Sequence, residues 1–95
     1  MLNELFDIIL DRQKNPQPGS YTNKLLDGDL DGILQKVGEE SVEVILAAKG
    51  QGNRRLVEET SDLFYHTLVL LARQGVNLAE VEAELRRRHT TPKQA

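Results

Sequence analysis

Apolar residues fall at Leu2, Leu5, Phe6, Ile9 and Leu10, the i, i+3, i+4, i+7, i+8 spacing that lines one face of a helix. The pattern predicts a first helix from Leu2 to about Gln13. Pro16 and Pro18, with Gly19 after them, end it, because proline cannot continue a helix. The next stretch, Gly19-Ser20-Tyr21-Thr22-Asn23-Lys24, is rich in hydroxyl and amide groups and reads as a polar connecting loop. Asp27-Gly28-Asp29 then marks a second start, with aspartate able to cap free backbone N–H groups. The helix it opens should run from about Asp29 to Lys49, with Leu30, Ile33, Leu34, Val37, Val44, Ile45 and Ala48 as its main apolar stripe. Val42 and Leu46 carry apolar surface round the opposite flank. A helix apolar over so much of its circumference belongs in the middle of a bundle or at a subunit interface.

Gly50-Gln51-Gly52-Asn53 reads as a tight break, with glycine closing one helix and Asn53 capping the next. A third helix follows from about Arg54 to Arg73, and Leu56, Val57, Leu63, Phe64, Leu68, Leu70 and Leu71 form its expected core face. So short a connection makes the second and third helices antiparallel neighbours. Gly75 ends the third helix, and Asn77 with Glu80 gives a capping-box start to a fourth, whose narrow apolar stripe is Leu78, Val81 and Leu85. From Arg86 to Ala95 the chain is basic and lacks apolar anchors, which predicts fraying. No segment has a strand period. The expectation is an all-α antiparallel bundle of four to five helices, one domain over residues 1–89, with a disordered tail at 90–95.

Composition narrows this picture in a few places. A chain of 95 residues buries a limited core, so association with a second copy is a natural source of added stability. The net charge of −3 argues against a general nucleic-acid or membrane-surface binder. The absence of cysteine excludes disulfides, thiol catalysis and thiolate metal sites. No apolar run approaches the roughly 18 residues of a membrane span, and Met1-Leu2-Asn3-Glu4 lacks the basic start of a signal peptide. A cytoplasmic protein is therefore expected.

The chemistry lies in the acids. Glu39, Glu40 and Glu43 fall within five residues of the second helix, and Glu59 and Asp62 lie on the third. At about 100° per residue, each i, i+3 pair sits about 60° apart on the wheel and points two carboxylates the same way. Like charges so placed repel, and a hard divalent cation would offset the repulsion. Glu43 precedes Gly50 by seven residues and Glu59 follows Gly52 by seven, so an antiparallel hairpin should bring the two acidic sets to similar heights. Two carboxylates from each of two facing helices would form an all-oxygen site that selects Mg²⁺ or Mn²⁺ over Zn²⁺. A lone glutamate pair is ordinarily a solvated helix face; here both sets flank core stripes on helices joined by a tight turn. Glu39 is available as a base or an outer partner. Lys24, Lys36, Lys49, Arg54 and Arg55 are the cations that phosphate chemistry would need. Lys36 stands out because it shares the carboxylate side of its helix. His66, one turn after Asp62, suits a hydrogen-bonded structural role better than ligation of a hard cation. The chain has no phosphate-cradling glycine loop, since Gly28-Asp29-Leu30-Asp31-Gly32 lacks the Lys-Ser/Thr ending.

Glu39-Glu40-x-x-Glu43 followed by Glu59-x-x-Asp62 resembles the signature of the all-α nucleoside triphosphate pyrophosphohydrolase (MazG-type) superfamily. Lys36-Val37-Gly38-Glu39-Glu40, Ala47-Ala48-Lys49 and Asp62-Leu63-x-Tyr65-His66 look closely like the phosphoribosyl-ATP pyrophosphohydrolase family of histidine biosynthesis. So do Gly19-Ser20-Tyr21-Thr22 before Leu25-Leu26 and the ending Glu84-Leu85-x-x-Arg88-His89. The resemblance runs from about Leu5 to His89. It implies a MazG-like bundle completed by dimerisation, and Mg²⁺-dependent hydrolysis of the α–β phosphoanhydride of phosphoribosyl-ATP to phosphoribosyl-AMP and pyrophosphate. Under it, Glu40, Glu43, Glu59 and Asp62 would be metal ligands, and Glu39 and Glu40 would carry catalysis, Glu39 by positioning metal or water. Ser20, Tyr21, Thr22, Lys24 and Lys36 would contact substrate. Two other readings stay open: a house-cleaning pyrophosphohydrolase of non-canonical nucleoside triphosphates, and a non-catalytic helical dimerisation module.

Overall fold

The computed structural model describes residues 1–90, and among them the chain is entirely α-helical. Its five helices are α1 (Leu2–Lys14), α2 (Tyr21–Asp27), α3 (Leu30–Gly50), α4 (Asn53–Arg73) and α5 (Leu78–His89). The all-α bundle expected from the periodicity is thus the observed architecture. The long antiparallel hairpin of α3 and α4 is its backbone, and α1 and α2 pack across one side of it. Phe6 and Ile9 of α1, Leu26 of α2, Ile33 of α3, and Leu68, Val69 and Ala72 of α4 form the buried core. Ile9, Ile33 and Val69 lose all contact with solvent, so three helices contribute one side chain each to the driest point of the molecule.

The main departure from the sequence reading is α2. The stretch read as a polar loop opens a seven-residue helix, with Ser20 as its N-cap accepting the Asn23 N–H. Seven residues are too few for an isolated helix, and no apolar period is visible in so short a run. Tertiary contacts hold it. Leu26 enters the core, and the buried Asn23 side chain accepts the Gln17 N–H at 2.8 Å and donates to the Arg12 carbonyl at 2.7 Å. At the other end, Arg73 donates to the carbonyls of Leu26 and Gly28, so α4 clamps the end of α2.

Other expectations are corrected locally. Gly52, at φ +88°, is the N-cap of α4, and Asn53 is the first helical residue rather than the cap. The left-handed conformation needed there favours glycine over asparagine. Val57 and Phe64, expected in the core, are 61% and 48% exposed, and Ile45 on α3 is 61% exposed. The reason is geometric: α1 and α2 cover one side of the hairpin only, so the broad apolar circumference of α3 and α4 is not all enclosed within one chain. The Asn77–Glu80 capping box forms as read. Arg86 to His89, expected to fray, complete α5. The tail assigned to 90–95 lies outside the described residues from 91 onward.

On α5, Glu84 accepts two hydrogen bonds from Arg87 at 2.7 Å and one from Arg88 at 3.0 Å. The arginines hold its carboxyl down at about 2. A carboxylate with a depressed folded-state pKa stabilises the fold above its unfolded value and loses that contribution as pH falls. The α5 ion pairs should therefore persist at pH 5 and dissolve between about 4.5 and 2. Carbon-detected NMR titration at low salt should give a Glu84 midpoint near the lower figure, and Arg87→Ala should raise it. A wild-type midpoint at 4.5 contradicts this.

Candidate active site

The antiparallel pairing of α3 and α4 sets the height of each acid. Glu40 of α3 and Glu59 and Asp62 of α4 each present a carboxylate oxygen within 4.8 Å of the others. Glu59 is buried at 6% exposure, Glu40 is half-buried and Asp62 is exposed, so the group grades from a dry end to an open one. Three of the four acids paired across the hairpin in the sequence reading thus converge. Glu43 is not within that 4.8 Å group. Glu43 lies one turn nearer the hairpin end, close enough for its charge to act on Arg55.

The cluster is flanked by two basic side chains. Arg55 donates to Glu58 Oε1 at 2.9 Å and to Glu59 Oε1 at 2.6 Å. Its pKa is raised, first by the Glu58 hydrogen bond and then by the charges of Glu59, Glu58 and Glu43. His66 is buried at 6% exposure, with Nδ1 at 2.9 Å from the Asp62 carbonyl and 2.7 Å from Glu40 Oε1. Its Nε2 is 3.0 Å from the Tyr21 hydroxyl. His66 is thus the hydrogen-bonded residue that the sequence favoured, although its partners include an acid of the cluster. The rings of Tyr21 and Tyr65 stack at 6.3 Å, and both meet His66 edge-on. The Tyr65 hydroxyl pairs with Thr22, and burial pushes its pKa upward against that hydrogen bond.

An open cleft of about 510 Å³ runs between α2 and the first half of α3, lined by Tyr21, Lys24, Lys36 and Glu39 among others. Four candidate residues from two separate sequence motifs therefore share one cavity. The remaining two candidates on α2 are engaged internally: Ser20 caps α2, and Thr22 bonds Tyr65. A second hollow of about 590 Å³ lies under the 16–20 segment and shares Tyr21 and Lys24 with the first. An exposed Lys24 and a half-buried Lys36 on the cleft, with the three converging carboxylates, provide complementary groups for an anionic ligand and a cation.

A family comparison decides what this arrangement belongs to. The phosphoribosyl-ATP pyrophosphohydrolase (PRA-PH) profile matches residues 2–89. The chain belongs to the phosphoribosyl-ATP pyrophosphohydrolase family. Three relatives named phosphoribosyl-ATP pyrophosphatase are similar over nearly the whole chain. That of Listeria welshimeri is 54% identical over 88 residues, spanning 93% of this chain and 84% of its own. That of Lactiplantibacillus plantarum is 49% identical over 87 residues, with 92% and 82% covered. That of Clostridium acetobutylicum is 46% identical over 89 residues, with 94% and 81% covered. Two long-range pairings beside the acids have no signal in the sequence: Tyr21 with His66 and Thr22 with Tyr65. The i, i+4 spacing of Asp62 and His66 was the one local signal, since it puts the imidazole on the acidic flank.

Proposed function

We propose that this chain hydrolyses the α–β phosphoanhydride of phosphoribosyl-ATP, giving phosphoribosyl-AMP and pyrophosphate, a step of histidine biosynthesis. Family membership over residues 2–89 supplies the substrate, and the convergence of Glu40, Glu59 and Asp62 is the observation that carries the chemistry. Water adds across the anhydride: one P–O bond forms, the bridging P–O bond breaks, pyrophosphate leaves, and a proton must be taken from the water.

The donor set fits a hard cation. Three carboxylates with oxygens within 4.8 Å, and no thiolate in the sequence, match the all-oxygen preference of Mg²⁺, with Mn²⁺ as the close alternative. Glu40, Glu59 and Asp62 would hold it, with Glu43 completing the set one turn away. When bound, such a cation neutralises phosphate charge and polarises the anhydride. The chain's own residues do the rest. Lys24 and Lys36 line the cleft beside Glu39 and would hold the polyphosphate by charge. Glu39 is exposed, with only a 3.4 Å hydrogen bond from Gln35, so its carboxylate is free to accept the proton of the attacking water. Tyr21 stands on the same cleft, available to the sugar or base, and the hydroxyls of Ser20 and Thr22 would support it from α2.

Arg55 neutralises Glu59 while no cation is bound. Arg55→Ala should lower the melting temperature of the metal-free protein and enlarge the rise produced by saturating Mg²⁺. Equal Mg²⁺-induced rises in the variant and wild type would count against a shared claim on Glu59.

The exposed Val42, Ile45, Leu46, Val57 and Phe64 of the hairpin support a homodimer in which a second copy covers that surface. Among the described residues no helix is long and apolar enough to cross a membrane, in keeping with a cytoplasmic enzyme. The deciding assay sets phosphoribosyl-ATP beside a panel of free nucleoside triphosphates. We expect turnover of phosphoribosyl-ATP to dominate, and the chain to restore histidine-independent growth to a strain lacking this step. Equal or better turnover of free dNTPs, without complementation, sinks the reading.

A further inference from the structure

His66 takes no direct part in the chemistry above, yet it is buried at 6% exposure between two groups that do. Its Nδ1 lies 2.7 Å from Glu40 Oε1 and 2.9 Å from the Asp62 carbonyl oxygen. With two oxygens in reach and no donor, that nitrogen must carry the proton. Nε2, 3.0 Å from the Tyr21 hydroxyl, then accepts from tyrosine in the neutral ring. Both nitrogens are engaged, so the imidazole serves its neighbours rather than offering a lone pair of its own. It also cannot turn freely: the rings of Tyr65 and Tyr21 stand edge-on to it at 5.0 and 5.9 Å, and Tyr65 is tied to Thr22.

Three helices meet in this network. Tyr21 is the first residue of α2 and is 47% exposed on the cleft. Glu40 is on α3 and shares the acidic cluster. The imidazole of α4 spans the gap between them. Nδ1 thus holds one oxygen of a carboxylate that also belongs to the acidic cluster. A ring partner that fixes a carboxylate in this way sets how well the acid presents itself to a cation.

We propose that His66 is a positioning residue that couples Tyr21, on the substrate cleft, to the orientation of Glu40 in the cation site. This inference rests on the metal-dependent reading above, and it extends that reading: the cleft wall and the cation site respond to one another through one imidazole. Because coupling free energy is reciprocal, anything that orders Tyr21 tightens the cation site, and a bound cation steadies the cleft wall.

The test uses the full chain and reads Mn²⁺ affinity by electron paramagnetic resonance of free Mn²⁺, without substrate. His66→Gln moves the amide away from the Nδ1 position, and should weaken Mn²⁺ binding by about 10–100-fold, the range for lost outer partners of metal ligands. His66→Asn keeps an N–H donor near the Nδ1 position and should recover most of that affinity while losing the Tyr21 bond. Tyr21→Phe removes one hydroxyl from a side chain that is 47% exposed, so the fold should hold. The substitution should weaken Mn²⁺ binding several-fold in wild type and have no effect in the His66→Asn background, the non-additivity of a shared path. A His66→Gln chain that melts like wild type and binds Mn²⁺ equally well overturns the proposal. So does a Tyr21→Phe effect of equal size in both backgrounds, or a wild-type chain that binds no Mn²⁺. Turnover of phosphoribosyl-ATP is scored separately on wild type: its absence would sink the functional reading, and the Mn²⁺ arms would still decide the role of His66.

Discussion

Glu59→Gln is expected to lower kcat/KM for phosphoribosyl-ATP by about a thousandfold or more while leaving the metal-free fold intact. The substitution keeps the volume of a side chain that is only 6% exposed, and an amide oxygen can still accept from Arg55. What disappears is one of three anionic donors within 4.8 Å. A bound cation is worth several kcal/mol of transition-state charge stabilisation, and each 1.36 kcal/mol is about tenfold in rate. Neutralising one acid of a like-charged cluster also relieves repulsion, so the metal-free melting temperature should stay within a few degrees of wild type. The rise in melting temperature on adding Mg²⁺ should vanish, since a ligand stabilises only the state it binds. Calorimetry with and without Mg²⁺, beside steady-state kinetics, checks both halves. Activity within tenfold of wild type, with an unchanged Mg²⁺ response, would falsify the assignment of Glu59.

Ile9→Ala should do the reverse. Ile9 has no exposed surface and sits with Phe6, Leu68, Val69 and Ala72, away from the acids. Deleting most of a buried isoleucine costs about 2–5 kcal/mol in lost burial plus the cavity left behind, against a total stability of about 5–15 kcal/mol. For a domain of this size each kcal/mol moves the melting temperature by about 4–8 °C, so a fall of at least about 8 °C is expected. Turnover per folded molecule at low temperature should be unchanged. Denaturant unfolding that places the variant within 1 kcal/mol of wild type would remove Ile9 from the centre of the core. Together the two substitutions separate what holds the fold from what does the chemistry.

Local chemistry was legible where it was periodic. The boundaries of α1, α3, α4 and α5 follow from apolar spacing, glycine breaks and the Asn77–Glu80 box, and each lies within a residue or two of its expected place until Arg86. The acidic site was legible because a short turn forces α3 and α4 into antiparallel register, which brings Glu40 of one set beside Glu59 and Asp62 of the other. Helix α2 was hidden because its stability comes from Asn23 and Arg73 reaching distant carbonyls, and no local pattern encodes such bonds. Exposure of Val57, Phe64 and Ile45 was hidden for a related reason. A helical wheel identifies an apolar face, and only the packing of α1 and α2 decides which part of it one chain encloses. The Tyr21–His66 contact spans 45 residues and leaves no trace in spacing at all.

The central claim is that Glu40, Glu59 and Asp62 gather a cation at which phosphoribosyl-ATP is split into phosphoribosyl-AMP and pyrophosphate. The most direct test incubates phosphoribosyl-ATP and Mg²⁺ with wild type, with Glu59→Gln and with wild type in excess chelator, and quantifies both products by chromatography. We expect phosphoribosyl-AMP and pyrophosphate in equal amounts from wild type alone, with almost none from the other two. Orthophosphate in place of pyrophosphate, or equal product from all three samples, would contradict the account.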